Sequence, residues 1–283
     1  MIDLHLHLIP GVDDGPDSMV VTRDMLAVMA GMGFQRLVAT PHLMQPLTPE
    51  YYNAVTSGLE AVRIEAQAHR IRVDLGFEHQ LDPGMPKRMA RGEPSTLAGT
   101  SAILVELPFV NWPNYTEATL FELRTAGYRP ILAHPERYLE ASRRPELVIA
   151  VAEKGAVLQL SSGSFMGAYG KTAQKMARKY LAECLERDLP VIFATDAHSP
   201  GQRLASTPSG LEWVKSYVAN GPAVVEWATS FNPSVILLDQ PAIGFASWRR
   251  TALPDQVTAA WGRPAEEAPE SRPGRRFALP WRS

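Results

Sequence analysis

Histidines and carboxylates recur along this sequence directly after short apolar runs. The first example is the segment Asp-Leu-His-Leu-His, which places His5 and His7 two residues apart. On an extended strand, such side chains point to the same face, so both imidazoles can bind one ion. The pair by itself is weak evidence, because an isolated histidine is more often a hydrogen-bonded core or surface residue.

The same pattern is found at the ends of other apolar runs. Five of the seven histidines lie at such positions, and only His69 and His79 do not. With the carboxylates in equivalent places, the candidate metal ligands are His5, His7, Asp14, His42, Glu78, Glu106, His134, Asp196 and His198. Imidazole and carboxylate ligands without thiolate suit Mn, Fe or Zn. So many ligands oversupply one ion, and the sequence predicts two or three divalent metal ions.

Strands that alternate with helices must position these residues. Short apolar runs predict seven strands, at residues 1–6, 36–40, 72–77, 102–106, 130–133, 156–160 and 190–194. The predicted helix ends are Asp17 or Ser18 with Gly33, Asn114 with Gly127, and Pro145 with Gly155. The alternation indicates an α/β protein with a parallel sheet. We expect a closed or nearly closed barrel, whose strand ends share one mouth, with an open doubly wound sheet as the alternative.

Composition limits the partners and the compartment. The chain has 283 residues, of which 45% are hydrophobic and 20% charged, as in an ordinary globular protein. A net charge of −2 gives no electrostatic basis for binding nucleic acid or an anionic membrane. No export signal or membrane-spanning run is visible, and the single Cys184 is compatible with a reducing compartment. We therefore expect a cytoplasmic protein that is not embedded in a membrane.

The C-terminal part differs in composition from the rest. After a short helical segment at about 233–239, Pro, Glu and Arg follow in quick succession without apolar periodicity. We predict one domain over residues 1–240 and a flexible Pro/Arg-rich tail over 241–283. A second interpretation is that the tail docks on a partner such as an acidic or tyrosine-rich kinase tail, through Arg249, Arg250, Arg272, Arg275, Arg276, Trp261 and Trp281.

Longer motifs surround the candidate ligands. They are Asp3-Leu-His-Leu-His7, Val12-Asp-Asp-Gly-Pro16, Ala39-Thr-Pro-His42, Gly76-Phe-Glu78, Val105-Glu-Leu-Pro108, Ala133-His-Pro-Glu-Arg-Tyr138, Leu158-Gln-Leu-Ser-Ser-Gly-Ser164 and Ala194-Thr-Asp-Ala-His-Ser199. In content, order and spacing they resemble the polymerase-and-histidinol-phosphatase (PHP) superfamily, and within it the bacterial tyrosine-protein phosphatases of capsule and exopolysaccharide operons. Leu43 replaces a usual histidine and His79 follows Glu78, but neither departure removes a ligand.

The resemblance implies a fold and a metal cluster. The fold would be a distorted (β/α)7 barrel of the PHP type, which agrees with the seven predicted strands. Three ions, with Mn preferred, would be held by three ligand sets: His5, His7, Glu78 and Asp196; Asp14, His42 and His198; and Glu78, Glu106 and His134. Glu78 would then bridge two of the ions.

The resemblance also implies an activity. The protein would be a phosphoric monoester hydrolase that cleaves phosphotyrosine with a metal-activated hydroxide. It would regulate capsule or exopolysaccharide synthesis by acting on the tail of an autophosphorylating tyrosine kinase. Guanidinium groups suit phosphate, and the resemblance points to Arg137 and Arg203 as its clamp. Asp14 is counted with them among the catalytic residues, and the sequence leaves an oligomer open.

Two other functions remain as alternatives. A small-molecule phosphatase, such as a histidinol phosphatase, shares the ligand scheme, and a metal-stabilised scaffold would be non-enzymatic. The cysteine-dependent phosphatase chemistry is disfavoured, because Cys184 is followed by Leu-Glu-Arg-Asp-Leu-Pro and no arginine occupies the place that a phosphate-cradling loop requires. Cys184 also lies in a helical segment, so we interpret it as a packing residue.

Overall fold

The computed structural model of the protein describes residues 1–251. This part of the chain contains nine β-strands: β1 (Ile2–Leu6), β2 (Arg36–Ala39), β3 (His42–Leu43), β4 (Arg72–Leu75), β5 (Glu78–Gln80), β6 (Ala102–Glu106), β7 (Arg129–Ala133), β8 (Val157–Ser161) and β9 (Val191–Ala194). All of their pairings are parallel, as the alternation of strands and helices predicts.

The strands form two hydrogen-bonded sheets, in the orders β1-β2-β4 and β3-β5-β6-β7-β8-β9. Each of the second and third predicted strands is interrupted by two residues, so β2 and β3 are parts of one strand and β4 and β5 are parts of the next. Pro41 lies in the first interruption and has no backbone N–H for the ladder. Gly76 lies in the second, where a Cβ atom would be 2.5 Å from Leu97 Cδ2. Seven of the nine strands therefore lie at the seven predicted positions, and β3 and β5 continue the second and third of them beyond their predicted ends.

The first and last strands meet at a short seam. His7 N donates to Ala197 O over 2.8 Å, and Asp196 N donates to His5 O over 2.9 Å. Leu6 and Ala197 form a parallel bridge there. The seam joins β1, the first strand of one sheet, to the residues after β9, the last strand of the other. The fold is therefore the predicted distorted barrel and not an open doubly wound sheet.

Twelve α-helices are found in residues 1–251: α1 (Met19–Gly31), α2 (Pro49–Gln67), α3 (Met85–Ala90), α4 (Thr116–Thr125), α5 (Leu139–Arg143), α6 (Glu146–Glu153), α7 (Gly170–Glu186), α8 (Gln202–Ala205), α9 (Thr207–Tyr217), α10 (Gly221–Glu226), α11 (Asn232–Leu237) and α12 (Phe245–Arg250). A π-helical segment, Trp227–Phe231, joins α10 to α11. None of these helices combines the length and the hydrophobicity that crossing a bilayer requires.

Most of the predicted helix ends agree with the structure. Ser18 is the N-cap of α1, and Pro145 is the N-cap of α6. Gly33, Gly127 and Gly155 follow their helices with φ of 86°, 91° and 93°. This left-handed conformation costs glycine little, which explains why these helices stop there. The predicted start of α4 is wrong by one residue, because its N-cap is Tyr115 and not Asn114.

Apolar side chains fill the barrel beneath its mouth. Leu4, Val38, Leu104, Ile131 and Ile192 are fully buried and belong to one cluster, which α11 also joins. Beyond α11, the Asp239 side chain accepts hydrogen bonds from Ser101 N and Arg129 Nη1, next to the amino ends of β6 and β7. The helix α11 therefore lies at the amino end of the barrel, opposite the carboxyl ends of the strands.

Residues 241–251 are the part of the predicted tail that the structure describes. This segment forms α12, whose Phe245 lies 5.6 Å from Trp227 and whose Trp248 lies 5.7 Å from Phe231, measured between ring centroids. Ser247 N also donates to Asp188 Oδ1 over 3.0 Å. Aromatic packing thus places the segment on the barrel. Residues 252–283, with Trp261 and Trp281, lie outside the described part of the chain, and the flexible tail stays a prediction there.

Candidate metal centre

All of the candidate metal ligands predicted from the sequence come together at the carboxyl ends of the strands. Their ligand atoms form four groups within which no two atoms are more than 4.8 Å apart. The groups are His7, Asp14, His42 and His198; His5, His7 and Asp196; His5, Glu78 and His134; and His42, Glu78 and Glu106. Neighbouring groups share members, so the arrangement is one continuous cluster.

Glu78 lies at the centre of this cluster. Its Oε2 atom is 3.1 Å from His5 Nε2, 3.3 Å from His7 Nε2 and 3.2 Å from His42 Nδ1. None of these contacts has hydrogen-bond geometry, and all four atoms are buried without a hydrogen-bond partner in the described residues. Buried polar atoms without partners are costly. Atoms that converge without bonding to one another fit divalent cations between them, so the residues present suit a metal cluster.

Two residues that the sequence analysis missed fix the orientation of the imidazoles. His5 Nδ1 lies 2.9 Å from Gln159 Oε1, and His7 Nδ1 lies 2.6 Å from Asp13 Oδ2. With Nδ1–H donating to each oxygen, the lone pair of Nε2 faces the cluster. Histidine ligands of metals are commonly held in this way, which also fixes their tautomer. Both residues lie in quoted motifs, Asp13 beside Asp14 and Gln159 after Leu158, but their residue types and positions alone did not mark them as supports for the imidazoles.

Asp13 also connects the loop before α1 to the second strand. Its Oδ1 accepts from Gly15 N over 3.0 Å, and its Oδ2 accepts from His42 N over 3.1 Å. A Cβ atom on Gly15 would lie 2.9 Å from both Asp13 Oδ1 and His7 Cβ. The Asp-Asp-Gly segment therefore has a physical reason for its glycine, which is the close approach of this loop to β1.

The outer part of the cluster faces solvent. Asp14 Oδ1 lies 3.2 Å from His42 Nε2 and 3.2 Å from His198 Nε2. The Asp14 side chain is 64% exposed, whereas that of Glu78 is 1% exposed. A substrate would therefore approach the cluster from the side of Asp14, His42 and His198.

Two ligands have an unusual backbone conformation. His134 directly follows β7 and has a φ of 31°. Asp196 lies two residues after β9 and has a φ of 51°. Residues other than glycine rarely adopt these values, and such strain typically costs about 1–3 kcal/mol and concentrates at functional sites. Nearby, the buried Asp3 side chain accepts from Thr195 Oγ1 over 2.6 Å. This bond ties β1 to the strained turn that carries Asp196.

The carboxylates change the proton affinity of the two central imidazoles. Burial lowers the pKa of His5, but the charges of Glu78 and Asp196 outweigh burial and raise its pKa to about 9. Burial also lowers the pKa of His7, where Asp13 and Glu78 outweigh it and raise the pKa to about 10. Cations and protons therefore compete for the same imidazole nitrogens.

The pKa values of three further ligands, Glu106, His134 and His198, are also shifted. Burial, followed by the neighbouring Glu78 carboxylate, raises the pKa of Glu106 to about 8. Burial lowers the pKa of His134 and of His198 to about 4 in each case, so both imidazoles are neutral at pH 7. Neutral imidazoles beside crowded carboxylates form a donor set suited to divalent cations.

Both predicted arginines reach the cluster. Arg137 forms an ion pair with Asp196 Oδ2, and Arg203 Nη1 lies 3.4 Å from the same oxygen. Arg203 Nη1 also lies 2.7 Å from His198 Nδ1. The sequence analysis missed two aromatic residues beside these arginines, Phe109 and Tyr169. They come from loops whose sequence has no periodic pattern, so no signal could have identified them.

Cys184 is fully buried in α7, as expected for a packing residue. Burial raises the pKa of its thiol to about 12. The reactive thiolate is therefore scarce at neutral pH, and the residue is apart from the metal cluster.

An α/β barrel with clustered His, Asp and Glu side chains at the carboxyl ends of its strands defines a metal-dependent hydrolase of the TIM-barrel type. A family model described as "Capsular polysaccharide synthesis, CpsB/CapC" matches residues 1–237. The chain belongs to this family. The family resemblance identified from the sequence motifs is confirmed.

Two relatives and one solved structure illustrate the similarity. Tyrosine-protein phosphatase YwqE of Bacillus subtilis (strain 168) is 30% identical over 213 residues, which cover 75% of this chain and 82% of YwqE. Tyrosine-protein phosphatase CpsB of Streptococcus pneumoniae is 27% identical over 251 residues, covering 85% and 99%. A structure from work on YwqE and CpsB as "unique metal-dependent tyrosine phosphatases" has a TM-score of 0.74 and 28% identity, and covers 86% of this chain and 96% of its own.

Proposed function

We propose that this chain is a metal-dependent protein-tyrosine phosphatase. The observation that carries the proposal is the convergence of unpartnered, buried ligand atoms of His5, His7, His42 and Glu78 at the barrel mouth. Two arginines border the same cluster, which is the chemistry that phosphate recognition requires. The names of YwqE and CpsB support phosphotyrosine as the substrate group.

The proposed metal ligands are those predicted from the sequence. Three ions, with Mn preferred and Fe or Zn as alternatives, would be held by His5, His7, Glu78 and Asp196; by Asp14, His42 and His198; and by Glu78, Glu106 and His134. Glu78 belongs to two of the four groups of close ligand atoms, which supports its role as a bridge between ions. Asp13 and Gln159 would keep the imidazoles of His7 and His5 turned towards the ions.

Divalent ions held by these residues would supply a water molecule of lowered pKa and positive charge for the phosphoryl group. Arg137 and Arg203 would bind phosphoryl oxygens, because guanidinium groups donate paired hydrogen bonds to phosphate. Asp14, at the exposed edge of the cluster, belongs to the side through which the substrate enters. The tyrosine side chain leaves as a phenolate with an ordinary pKa of about 10, so a general acid is not required.

The proposed substrate is the phosphorylated tail of an autophosphorylating tyrosine kinase. The family description supports a role in capsular polysaccharide synthesis. The exposed position of Asp14 supports a protein substrate, because a side chain that projects from a flexible segment can reach this edge without entering a deep cavity.

Side-by-side kinetics of the Mn-loaded protein on a phosphotyrosyl peptide, a phosphoseryl peptide and histidinol phosphate test the proposal. We expect the highest kcat/KM on the phosphotyrosyl peptide, and loss of hydrolysis in His42→Ala and Asp196→Ala. A higher kcat/KM on histidinol phosphate would contradict tyrosine specificity. Hydrolysis that persists in both variants would contradict the assignment of catalysis to the metal cluster, and absence of Mn-dependent hydrolysis in the wild type would favour a scaffold.

A further inference from the structure

Tyr169 lies in a short loop that joins the turn after β8 to α7. Two glycines with left-handed φ flank it, Gly167 at 84° and Gly170 at 90°. These conformations direct the loop back over the carboxyl ends of the strands, and the tyrosine ring reaches the edge of the metal cluster. The side chain is half-buried there.

The ring of Tyr169 contacts both arginines. The guanidinium carbon of Arg137 lies 4.5 Å from the ring centroid, and that of Arg203 lies 5.4 Å from it. Cations within about 6 Å of an aromatic ring are attracted by its electrons. A single aromatic side chain thus holds two guanidinium groups that are 66 residues apart in the sequence.

The hydroxyl group of Tyr169 makes a separate contact. It donates to Asp196 Oδ2 over 3.2 Å. The other carboxylate oxygen, Oδ1, faces His5 Nε2 at 3.4 Å. The two oxygens of Asp196 therefore have different surroundings, since one faces the imidazoles and the other faces the arginines and Tyr169.

A second aromatic ring completes the surroundings of Arg137. Phe109 lies 4.7 Å from the guanidinium carbon, and its ring stacks on His134 with centroids 5.7 Å apart. A free arginine side chain has about 2 kcal/mol of rotamer entropy to lose on binding a ligand. Rings that hold the guanidinium in place beforehand reduce that loss.

We propose that Tyr169 is a positioning residue for phosphate recognition, whose ring holds Arg137 and Arg203 towards one phosphoryl group. This inference rests on the proposed function, in which the two arginines bind phosphate. It adds a residue that acts through the arginines and not on the reacting atoms.

The experiment measures binding of inorganic phosphate to the Mn-loaded protein by titration calorimetry. In Tyr169→Leu, which removes the ring and the hydroxyl, we expect phosphate to bind about tenfold more weakly, in line with the strength of cation–π contacts. The KM for p-nitrophenyl phosphate should rise more than kcat falls. In Tyr169→Phe, which keeps the ring, phosphate affinity should stay within about threefold of the wild type. Tyr217→Leu, at a 75% exposed position, is the matched control.

Metal content and melting temperature distinguish positioning from a general structural role. Both should be unchanged in Tyr169→Phe, and metal content should be unchanged in Tyr169→Leu. Wild-type phosphate affinity in Tyr169→Leu would overturn the proposal, as would a Tyr169→Phe variant that binds phosphate as weakly as Tyr169→Leu. If Tyr169→Leu does not fold, Tyr169→Met, which also lacks the ring, replaces it, and wild-type phosphate affinity there would overturn the proposal.

The phosphate measurement is independent of substrate choice. If the wild type prefers histidinol phosphate to phosphotyrosine, the proposed function fails, while the comparison of Tyr169 variants still decides the positioning role. If phosphotyrosine is preferred and Tyr169→Leu binds phosphate normally, only the positioning role fails.

Discussion

Asp13 Oδ2 accepts the Nδ1 proton of His7 over 2.6 Å, and this contact sets the face that His7 presents to the cluster. The same carboxylate receives the backbone N–H groups of Gly15 and His42. Asp13 need not bind an ion itself. It nevertheless fixes the position of the His7 imidazole and of the loop before α1.

Replacement of Asp13 by alanine should weaken metal binding. Loss of such a supporting contact typically reduces metal affinity about 10–100-fold, because the imidazole can then rotate and change tautomer. Competition with a metal-binding dye would measure the change for Mn. Asp24→Ala, on the exposed face of α1, serves as the control and should bind Mn like the wild type. Equal affinities in the two variants would contradict the role of Asp13.

Removal of the metal should destabilise the protein as well as inactivate it. Without cations, the carboxylates around Glu78 and the buried unpartnered nitrogen atoms lose their compensation. Ligand binding at 100 times Kd stabilises a folded state by about 2.7 kcal/mol for each site. Thermal melts before dialysis against a chelator, after it, and after Mn is restored should show a reversible fall in Tm. An unchanged Tm would argue against a bound metal cluster.

The thiol of Cys184 should be unreactive in the folded protein. It is fully buried and its pKa is raised to about 12, so a thiol reagent at pH 8 should label it only after unfolding. Cys184→Ala should keep its kcat, because hydrolysis is assigned to the metal cluster. Rapid labelling of the native protein, or loss of activity in the variant without loss of folding, would restore the cysteine-dependent mechanism.

Replacement of Gly210 by alanine should disturb the support of the site. A Cβ atom there would lie 2.0 Å from the backbone oxygen of Ser162, so α9 and the turn after β8 would have to separate. Overpacking of this kind typically costs about 1–3 kcal/mol. Urea unfolding would measure the cost. Gly31→Ala meets no atom within 4 Å and, at the end of a helix, should leave stability the same or slightly higher.

Two truncations should separate the packed segment from the residues beyond it. A chain that ends at residue 240 loses Phe245 and Trp248 and exposes Trp227 and Phe231, so each uncovered ring should cost about 1.5–3 kcal/mol. A chain that ends at residue 251 keeps these contacts and should unfold at the same urea concentration as the full chain. Equal stability of both truncations would show that α12 contributes little.

The barrel and the metal ligands could be predicted from the sequence alone. His5, His42, Glu78 and Asp196 could be predicted because each lies where an apolar run ends, and parallel strands bring such ends together. Asp13 could not be separated from its neighbour Asp14, since adjacent carboxylates in a loop differ only in the direction that the folded backbone gives them.

The positions of four aromatic side chains depend on tertiary packing and could not be predicted from the sequence pattern. Phe109 and Tyr169 approach Arg137 from loops, and loop geometry has no periodic signature. Likewise, Phe245 and Trp248 lie in a segment without apolar periodicity, and their burial depends on aromatic residues of the helical segment before α11. In each case the partner is distant in sequence, so local composition was a poor guide.

The interruptions of the second and third strands divide the metal cluster between two sheets. His42 and Glu78, which begin β3 and β5, are register partners in the six-stranded sheet, whereas His5 belongs to the other sheet. The metal ligands are therefore divided between two hydrogen-bonded ladders. The seam between β1 and residues 196–197 holds the two sheets together at this point, so the geometry of the whole cluster depends on that seam.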